Sequence, residues 1–223
     1  MGYKALAIDL DGTLVLPGRI LDLRGAEAIR KVRIPIILAT GNNPCFTHAA
    51  AKLIGTGDIM IAENGGVIRV GKEEYIEGNK KECEKAWDIL KDKIYLERLD
   101  DEYRKTDIVI RKTCDPEEIR KVLRNYDLDV DVVDTGFAIH IKKKGVNKGK
   151  ALKKVSEMIG IDIKDFVGIG DAENDKEMLE IVGFGIAVGN AREEIKEIAD
   201  YVTKGEYGEG VAEAVDMLLS RLG

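Results

Sequence analysis

Ile8-Asp9-Leu10-Asp11-Gly12-Thr13 is the stretch of this sequence that constrains the fold most strongly. It closes residues 3–9, whose apolar character is typical of a strand buried on both faces of a parallel sheet. Aspartate is unfavourable in strands and costly to bury. Two carboxylates at the end of a core strand, followed by residues that open a turn, therefore indicate a site that binds a cation, performs chemistry, or both.

The length and charge of the chain limit what it can be. Its 223 residues can form one large domain or a core with a smaller insertion. Charged residues make up 34% of the chain but its net charge is only -6, so both signs are mixed and no basic patch for nucleic acid is indicated. No apolar stretch approaches the length of a membrane span or a signal-peptide core. We expect neither nucleic acid nor a membrane as a partner.

The amino-acid usage suggests a cellular location. The three cysteines are odd in number and too widely spaced for a zinc motif, which fits the reducing cytoplasm. Glutamine is absent while Lys, Arg and Glu are abundant, a composition that favours a thermophilic source. We therefore expect a cytoplasmic protein.

Strand and helix signals alternate at both ends of the chain. In the first part, strands are predicted at residues 36–39 and 59–62, with one helix capped by Asp22 that runs to about residue 32 and another from Pro44 to Gly55. The later part has strands at residues 166–169 and 185–188 and helices at 148–159 (capped by Asn147), 175–181, 193–199 and from 208. Such alternation predicts right-handed crossovers and an α/β fold with a parallel sheet.

The rhythm changes between these two parts. A β-hairpin is predicted at residues 67–70 and 74–76. Beyond it, helices near residues 80–92 and after Asp115-Pro116 interleave with strands at 108–110, 130–133 and 137–141. The sequence thus predicts a discontinuous core of residues 1–79 and 146–223 and an inserted α+β domain of residues 80–145.

The polar clusters of the chain follow predicted strands or open predicted helices. In a doubly wound sheet, ligands bind beyond the carboxyl ends of the strands. The candidates for such a site are Asp9, Asp11, Thr40, Gly41, Asn42, Lys148, Asp171, Asn174 and Asp175. Because they fall at equivalent places in the fold, we expect them to converge on one face.

These residue types suit one chemical task. The carboxylates of Asp9, Asp11, Asp171 and Asp175 would repel one another without a cation, and hard oxygen ligands suit Mg²⁺. Thr40, the backbone N–H groups of Gly41 and Asn42, and Lys148 are what a phosphate needs. One aspartate can then attack phosphorus while a second handles the proton.

Each cluster taken alone has a simpler interpretation. The acidic pair can be a capped turn, Thr40-Gly41-Asn42 a structural loop and Lys148 a solvated side chain. Residues 170–175 can be an acidic loop or a helix cap, although they lack EF-hand spacing. The ordered set favours the catalytic interpretation.

The ordered set resembles the motifs of the haloacid dehalogenase superfamily of phosphatases. Asp9-Leu10-Asp11-Gly12-Thr13 matches the first motif, Thr40 the second, Lys148 the third, and Gly170-Asp171 with Asn174-Asp175 the fourth. The resemblance implies a Rossmann-like core with an α+β cap of the Cof-like subgroup. It also implies Asp9 as nucleophile and Asp11 as acid/base. The implied Mg²⁺ ligands are Asp9, Asp11, Asp171 and Asp175, and the implied substrate-binding residues are Thr40, Gly41, Asn42, Lys148 and Asn174.

The resemblance also implies a substrate class. The length, the short cap and Thr40-Gly41-Asn42 look most like archaeal phosphoglycolate phosphatases, whereas many Cof-type relatives carry Arg where this chain has Asn42. The expected activity is Mg²⁺-dependent hydrolysis of a small phosphorylated metabolite, foremost 2-phosphoglycolate, through an aspartyl-phosphate. The alternatives are a sugar phosphate or mannosyl-3-phosphoglycerate, or a receiver-like signalling module of another class. A homodimer is left open.

The predicted cap strands suggest where the leaving group is recognised. Ile108, Ile110, Phe137, Ile139 and Ile141 alternate along two strands and would pack on the cap helices. The opposite face then carries Arg111, His140 and Lys142. We expect one or more of these three to meet the carboxylate of a small substrate.

Overall fold

The computed structural model describes residues 2–222. The strands are β1 (Ala5–Ile8), β2 (Val15–Leu16), β3 (Ile20–Leu21), β4 (Ile36–Ala39), β5 (Ile59–Ala62), β6 (Val67–Val70), β7 (Glu73–Ile76), β8 (Arg98–Leu99), β9 (Ile108–Arg111), β10 (Val130–Asp134), β11 (Ala138–Lys143), β12 (Phe166–Gly170), β13 (Phe184–Ala187) and β14 (Tyr201–Val202). The helices are α1 (Leu23–Ile29), α2 (Pro44–Ile54), α3 (Lys80–Leu90), α4 (Pro116–Leu123), α5 (Lys148–Ile159), α6 (Lys176–Ile181), α7 (Glu193–Ile198) and α8 (Tyr207–Leu222). None of these helices is long and apolar enough to cross a membrane.

The larger sheet has the strand order β14-β13-β12-β1-β4-β5-β6-β7. Its strands run parallel from β14 to β5, and the hairpin β6–β7 is added antiparallel at the edge. Helices α1, α2 and α8 bury one face of this sheet, while α5, α6 and α7 bury the other. The predicted α/β class with a Rossmann-like parallel core is therefore confirmed.

The elements with clear start and stop signals have the predicted bounds. The side chain of Asn43 accepts a hydrogen bond from the amide of Phe46 at the start of α2, and Gly55 ends the helix in the left-handed conformation. Asn147 caps α5 through the amide of Lys150. Helix α1 ends at Ile29 rather than near residue 32. The strands of two residues, β2, β3, β8 and β14, were missed because they are too short to show a period.

A second, antiparallel sheet lies in the middle of the chain, with the order β10-β11-β9-β8. Helices α3 and α4 cover one of its faces and share with it a separate apolar cluster that contains Ile110 and Ile139. We propose that residues 80–145 are the cap domain, and that residues 1–79 and 146–223 are the core domain.

The cap cluster should be stabilised chiefly by its buried isoleucines. Ile110 is completely buried and stands opposite Ile139 in the sheet. Ile110→Ala should lower the free energy of unfolding by about 2–5 kcal/mol, because it removes buried methyl groups and leaves a cavity. Urea unfolding measures this change. Tyr95→Ala, at a cap residue that is 86% exposed, is the control and should change it by less than about 0.5 kcal/mol; equal losses in both variants would contradict the packing described.

Candidate active site

The site lies where three neighbouring strands of the large sheet end. Strand β1 lies between β12 and β4, and all three run parallel. Asp9 follows β1, Thr40 follows β4 and Asp171 follows β12. Their side chains therefore meet at one edge of the sheet, as expected for a doubly wound fold.

Three of the predicted carboxylates form a compact cluster. Ligand oxygens of Asp9, Asp171 and Asp175 all lie within 4.8 Å of one another. Burial, and then the charge of Asp175, raise the pKa of Asp9 well above its usual range and the pKa of Asp171 to about 7. The buried Oδ2 of Asp9 has no hydrogen-bond partner among the described residues. Crowded oxygens that resist ionisation, one of them unpartnered, fit a site for a hard divalent cation.

Lys148 holds this cluster from the protein interior. Its side chain is completely buried at the start of α5, and Nζ donates hydrogen bonds to Asp9 Oδ1 at 2.5 Å and to Asp175 Oδ1 at 2.6 Å. Burial acts to lower the pKa of Lys148, but the charges of Asp175 and Asp9 outweigh it and raise that pKa. The ammonium therefore stays charged and fixes the orientation of Asp9.

The glycine and threonine of the opening motif serve this cluster. The backbone of Gly12 has φ +89°, and a Cβ there would lie 2.3 Å from Asp171 Oδ2. Thr13 donates its hydroxyl hydrogen to Asp171 Oδ1 at 2.9 Å. The turn after β1 thus requires a residue without a side chain so that the loop after β12 can approach it.

The loop after β12 is organised around Asp175. Its Oδ2 accepts hydrogen bonds from the backbone amides of Asp171 at 3.1 Å and Ala172 at 3.2 Å. A Cβ at Gly170 would lie 2.6 Å from Asp175 Cγ, so this position also has to be glycine. Asp175 is therefore both a member of the carboxylate cluster and the centre of its own loop.

Asp11 faces a different part of the site. Its Oδ2 accepts hydrogen bonds from the side-chain amide of Asn42 and from the hydroxyl of Thr40, the latter at 3.4 Å. The three-carboxylate cluster does not include Asp11. Its predicted role as acid/base agrees with this separate position, and its role as a metal ligand stays a prediction.

The loop after β4 also keeps some of its predicted phosphate donors occupied. The backbone amide of Asn42 donates to Thr40 Oγ1 at 3.1 Å, so this amide is engaged within the loop. In the loop after β12, the predicted phosphate-binding residue Asn174 is also engaged, because its Nδ2 donates a hydrogen bond to Asn64 Oδ1 at 3.0 Å. A cavity of about 120 Å³ brings together the predicted residues Asp9, Asp11, Gly41, Asn42 and Asn174.

The cap face contributes less to this cavity than the sequence suggested. Of the three expected cationic residues, His140 lines the cavity, whereas Lys142 is buried with Nζ donating to the carbonyl of Val146. Arg111 forms an exposed ion pair with Glu97 and is not among the cavity-lining residues. Phe137, expected on the cap helices, is instead 61% exposed and lines the cavity. The packing expected of Phe137 is therefore wrong, whereas the expectation that one or more of Arg111, His140 and Lys142 meets a substrate carboxylate stays a prediction.

Sequence reasoning missed a buried polar group beneath the cap. Arg104 Nη1 donates to the Asp107 carboxylate at 2.9 and 3.1 Å and to the carbonyl of Gly41 at 3.2 Å. His140 Nδ1 lies 2.9 Å from Asp107 Oδ2 and 3.3 Å from Asn64 Nδ2. The one signal in the sequence is the spacing of Arg104 and Asp107, and that spacing is equally common in surface ion pairs.

A second contact joins core and cap at the turn after β5. Glu63, with φ +51°, is completely buried, and its carboxylate accepts hydrogen bonds from the backbone amides of Lys105 and Thr106 at 2.9 and 2.7 Å. The segment that carries Arg104 is therefore anchored to the core at two places, Gly41 and Glu63.

The comparisons with known proteins agree with this geometry. The family model of haloacid dehalogenase-like hydrolases matches residues 6–103 and 79–215. A phosphoglycolate phosphatase of Archaeoglobus fulgidus is 50% identical over 217 residues, covering 96% of each chain. One of Methanococcoides burtonii is 46% identical over 222 residues, covering 99% of this chain and 98% of the relative.

Solved structures support the fold. A crystal structure from Thermoplasma acidophilum superposes with a TM-score of 0.88 at 22% identity, covering 98% of this chain and 99% of that one. A haloacid dehalogenase-like hydrolase of Bacillus subtilis has a TM-score of 0.77 at 23% identity, covering 96% and 99%.

The class defined by the fold and the site is thus a capped hydrolase with an acidic centre at the ends of parallel strands. The chain belongs to the haloacid dehalogenase-like hydrolases. The resemblance drawn from its motifs is confirmed, and a receiver-like module is excluded.

The crowding of carboxylates should lower the stability of the metal-free protein. Because Asp171 has a pKa of about 7 when folded and 3.8 as a free side chain, its ionisation destabilises the fold as pH rises through that interval. Asp171→Asn should therefore raise the free energy of unfolding at pH 8, in the presence of a chelator, by on the order of 2 kcal/mol. The gain should diminish towards pH 4, where the wild-type carboxyl keeps its proton.

Urea unfolding at the two pH values measures this effect. Asp216→Asn, at an exposed position of α8, is the matched control and should have little effect at either pH. A stability loss in Asp171→Asn at pH 8 would show that the cluster is not electrostatically crowded.

Proposed function

We propose that this protein is a Mg²⁺-dependent phosphatase that hydrolyses 2-phosphoglycolate to glycolate and phosphate through an aspartyl-phosphate on Asp9. The main support for the proposal is that Asp9 takes part in two features of the site at once. It belongs to the carboxylate cluster and also lines the cavity in which a substrate would lie. A nucleophile has to be in both places, because it must contact the substrate while its charge is held by neighbouring groups.

The cluster is the proposed place of the metal. Asp9, Asp171 and Asp175 would hold Mg²⁺ through their oxygens, and the unpartnered Oδ2 of Asp9 fits this use. When bound, Mg²⁺ supplies positive charge against both the carboxylates and the oxygens of a phosphate. We also propose Asp11 as a ligand, through an atom other than its carboxylate Oδ2, because Oδ2 accepts a hydrogen bond from Asn42.

The chain's own residues divide the chemistry among them. An oxygen of Asp9 attacks phosphorus and the ester bond breaks, with the proton of Asp11 passing to the leaving oxygen. Asp11 then accepts a proton from water, whose oxygen attacks the phosphorus of the aspartyl-phosphate and releases phosphate and free Asp9. Lys148 holds Asp9 in position, and its charge opposes the rise in the pKa of Asp9 that burial and Asp175 cause. Thr40, Gly41, Asn42, Lys148 and Asn174 are the proposed phosphate-binding residues.

The relatives point to the substrate. Seven archaeal proteins named phosphoglycolate phosphatase are 38–50% identical to this chain over almost its full length.

The three cysteines Cys45, Cys83 and Cys114 are free, which supports the proposed cytoplasmic location. The composition supports the proposed thermophilic source.

The nucleophile can be tested directly. Wild-type protein with Mg²⁺ should release phosphate from 2-phosphoglycolate, and Asp9→Asn should reduce kcat by on the order of 10⁴ or more, because the attacking oxygen is lost. A phosphate assay over a panel of phosphomonoesters, including sugar phosphates and mannosyl-3-phosphoglycerate, measures both points. Full activity in Asp9→Asn would overturn the mechanism. Failure of phosphoglycolate alone would overturn only the substrate.

The metal site can be tested without activity. Saturating Mg²⁺, at about 100 times its Kd, should stabilise the wild-type protein by roughly 2.7 kcal/mol. Asp171→Asn should lose most of this gain, since it removes an anionic ligand, whereas Asp216→Asn should retain it. Thermal melts with and without Mg²⁺ measure the difference. An undiminished gain in Asp171→Asn would place the cation elsewhere.

A further inference from the structure

We propose that Arg104 binds the carboxylate of the substrate's leaving group and so selects short phosphorylated acids. The inference rests on the proposed function and deepens it, because it names the residue that distinguishes phosphoglycolate from other small phosphate esters. Arg104 is only 7% exposed and lines the same cavity as Asp9 and Asp11.

The position of Arg104 fits a short leaving group. The residue precedes β9, and its Nη1 donates to the carbonyl of Gly41, 3.2 Å away. Gly41 stands between Thr40 and Asn42 in the proposed phosphate loop. In phosphoglycolate a single carbon separates the carboxylate from the ester oxygen, so both charged ends of the substrate have to be bound close together. A guanidinium anchored on the phosphate loop meets that requirement.

The guanidinium also has donors to spare. The hydrogen bonds of Arg104 to Asp107 and Gly41 all leave from Nη1. Its Nε is buried and has no hydrogen-bond partner among the described residues. A buried donor without a partner is unfavourable, whereas Nε and Nη2 together form the edge that binds a carboxylate by two parallel hydrogen bonds. A ligand carboxylate would satisfy the group that the protein leaves unsatisfied.

Asp107 and His140 hold the guanidinium of Arg104 in place from its other side, at Nη1. Asp107 is completely buried and accepts hydrogen bonds from Arg104 and from His140 Nδ1. Burial acts to raise the pKa of Asp107, but Arg104 and His140 outweigh it and keep that pKa below its usual value. Burial lowers the pKa of His140. Asp107 is thus an ionised positioning residue for Arg104, and His140 for Asp107.

The surrounding wall disfavours the alternative substrates. The cavity that Arg104 lines is also lined by four apolar side chains, namely Leu99, Val109, Phe137 and Ala138. These offer no partners for the hydroxyls of a sugar. Asp107 offsets the charge of Arg104. Apart from the carboxylates of Asp9 and Asp11, the remaining charges on the cavity wall are one cation of the core, Arg19, and one anion of the cap, Asp100. Recognition therefore rests on directed hydrogen bonds in a buried place rather than on long-range attraction.

A matched pair of substrates tests the inference. In 2-hydroxyethyl phosphate a hydroxymethyl group replaces the carboxylate of 2-phosphoglycolate. Arg104→Gln should lower kcat/KM for phosphoglycolate by about 100-fold, the loss expected for charged hydrogen bonds, and change that for 2-hydroxyethyl phosphate less than about threefold. The substrate preference is the kcat/KM for phosphoglycolate divided by the kcat/KM for 2-hydroxyethyl phosphate. Arg104→Lys should lower this ratio by about tenfold, because lysine keeps the positive charge but lacks the planar guanidinium. Arg111→Gln, at the exposed cap ion pair, should leave both values unchanged.

The positioning role of Asp107 has its own readout. Asp107→Asn should lower the ratio of the two kcat/KM values, because Arg104 loses its orientation, whereas a merely structural role would lower both values in parallel. If Arg104→Gln does not fold in a thermal melt, the ratio measured for Arg104→Lys decides.

The outcomes separate the inference from the function beneath it. Parallel losses on both substrates in the Arg104 variants would mean that this residue only ties the cap to Gly41, and would overturn the inference alone. A wild-type protein that does not prefer phosphoglycolate over 2-hydroxyethyl phosphate would overturn the proposed substrate.

Discussion

The contact between one buried ammonium and two carboxylates is the interaction on which the site depends. Lys148 is completely buried, and so is Asp175, while Asp9 is almost so. Without the ammonium these acids would be like charges in a medium of low dielectric constant, where repulsion is strong. Lys148 begins α5, the helix that follows the cap in the chain. The acids after β1 and β12 thus become a functional group only when the chain has returned from the cap to the core.

The same arrangement leaves no room for a side chain at two glycines. Gly12 allows the loops after β1 and β12 to approach, and Gly170 leaves room for Asp175. Glycine lowers the stability of a folded segment through its entropy in the unfolded chain. Carboxylates with raised pKa values lower it further. The charged centre therefore lowers the free energy of unfolding of the core locally. The fully buried apolar strands around the centre offset this loss.

The sequence predicted the core better than the cap, for physical reasons. Strand β4 has the predicted bounds and helix α2 the predicted caps, because buried strands are continuously apolar and Pro44 and Gly55 mark the helix ends. The ends of parallel strands meet wherever the strands are neighbours, so the convergence of Asp9 and Asp171 could be predicted from topology. The orientation of Asp11 towards Asn42 could not, since it depends on side-chain geometry within a loop.

The role of Arg104 could not be predicted from the sequence, because its environment is assembled from three separate segments. Its partners are Asp107 in the cap and Gly41 in the core, with His140 of β11 behind Asp107. No periodicity connects these positions, and only the folded chain makes the group buried and leaves its Nε unpartnered.

Chemistry and substrate recognition are proposed to lie on different parts of the fold. The residues proposed for phosphoryl transfer stand on the ends of core strands, whereas the proposed recognition residue stands on a cap segment that contacts the core at the carbonyl of Gly41 and at the carboxylate of Glu63. Strand ends are held by the sheet on both sides, so the nucleophile stays rigid. A segment before β9 can change its residues without disturbing that sheet. In this architecture the leaving group can therefore be selected independently of the chemistry performed on the phosphate.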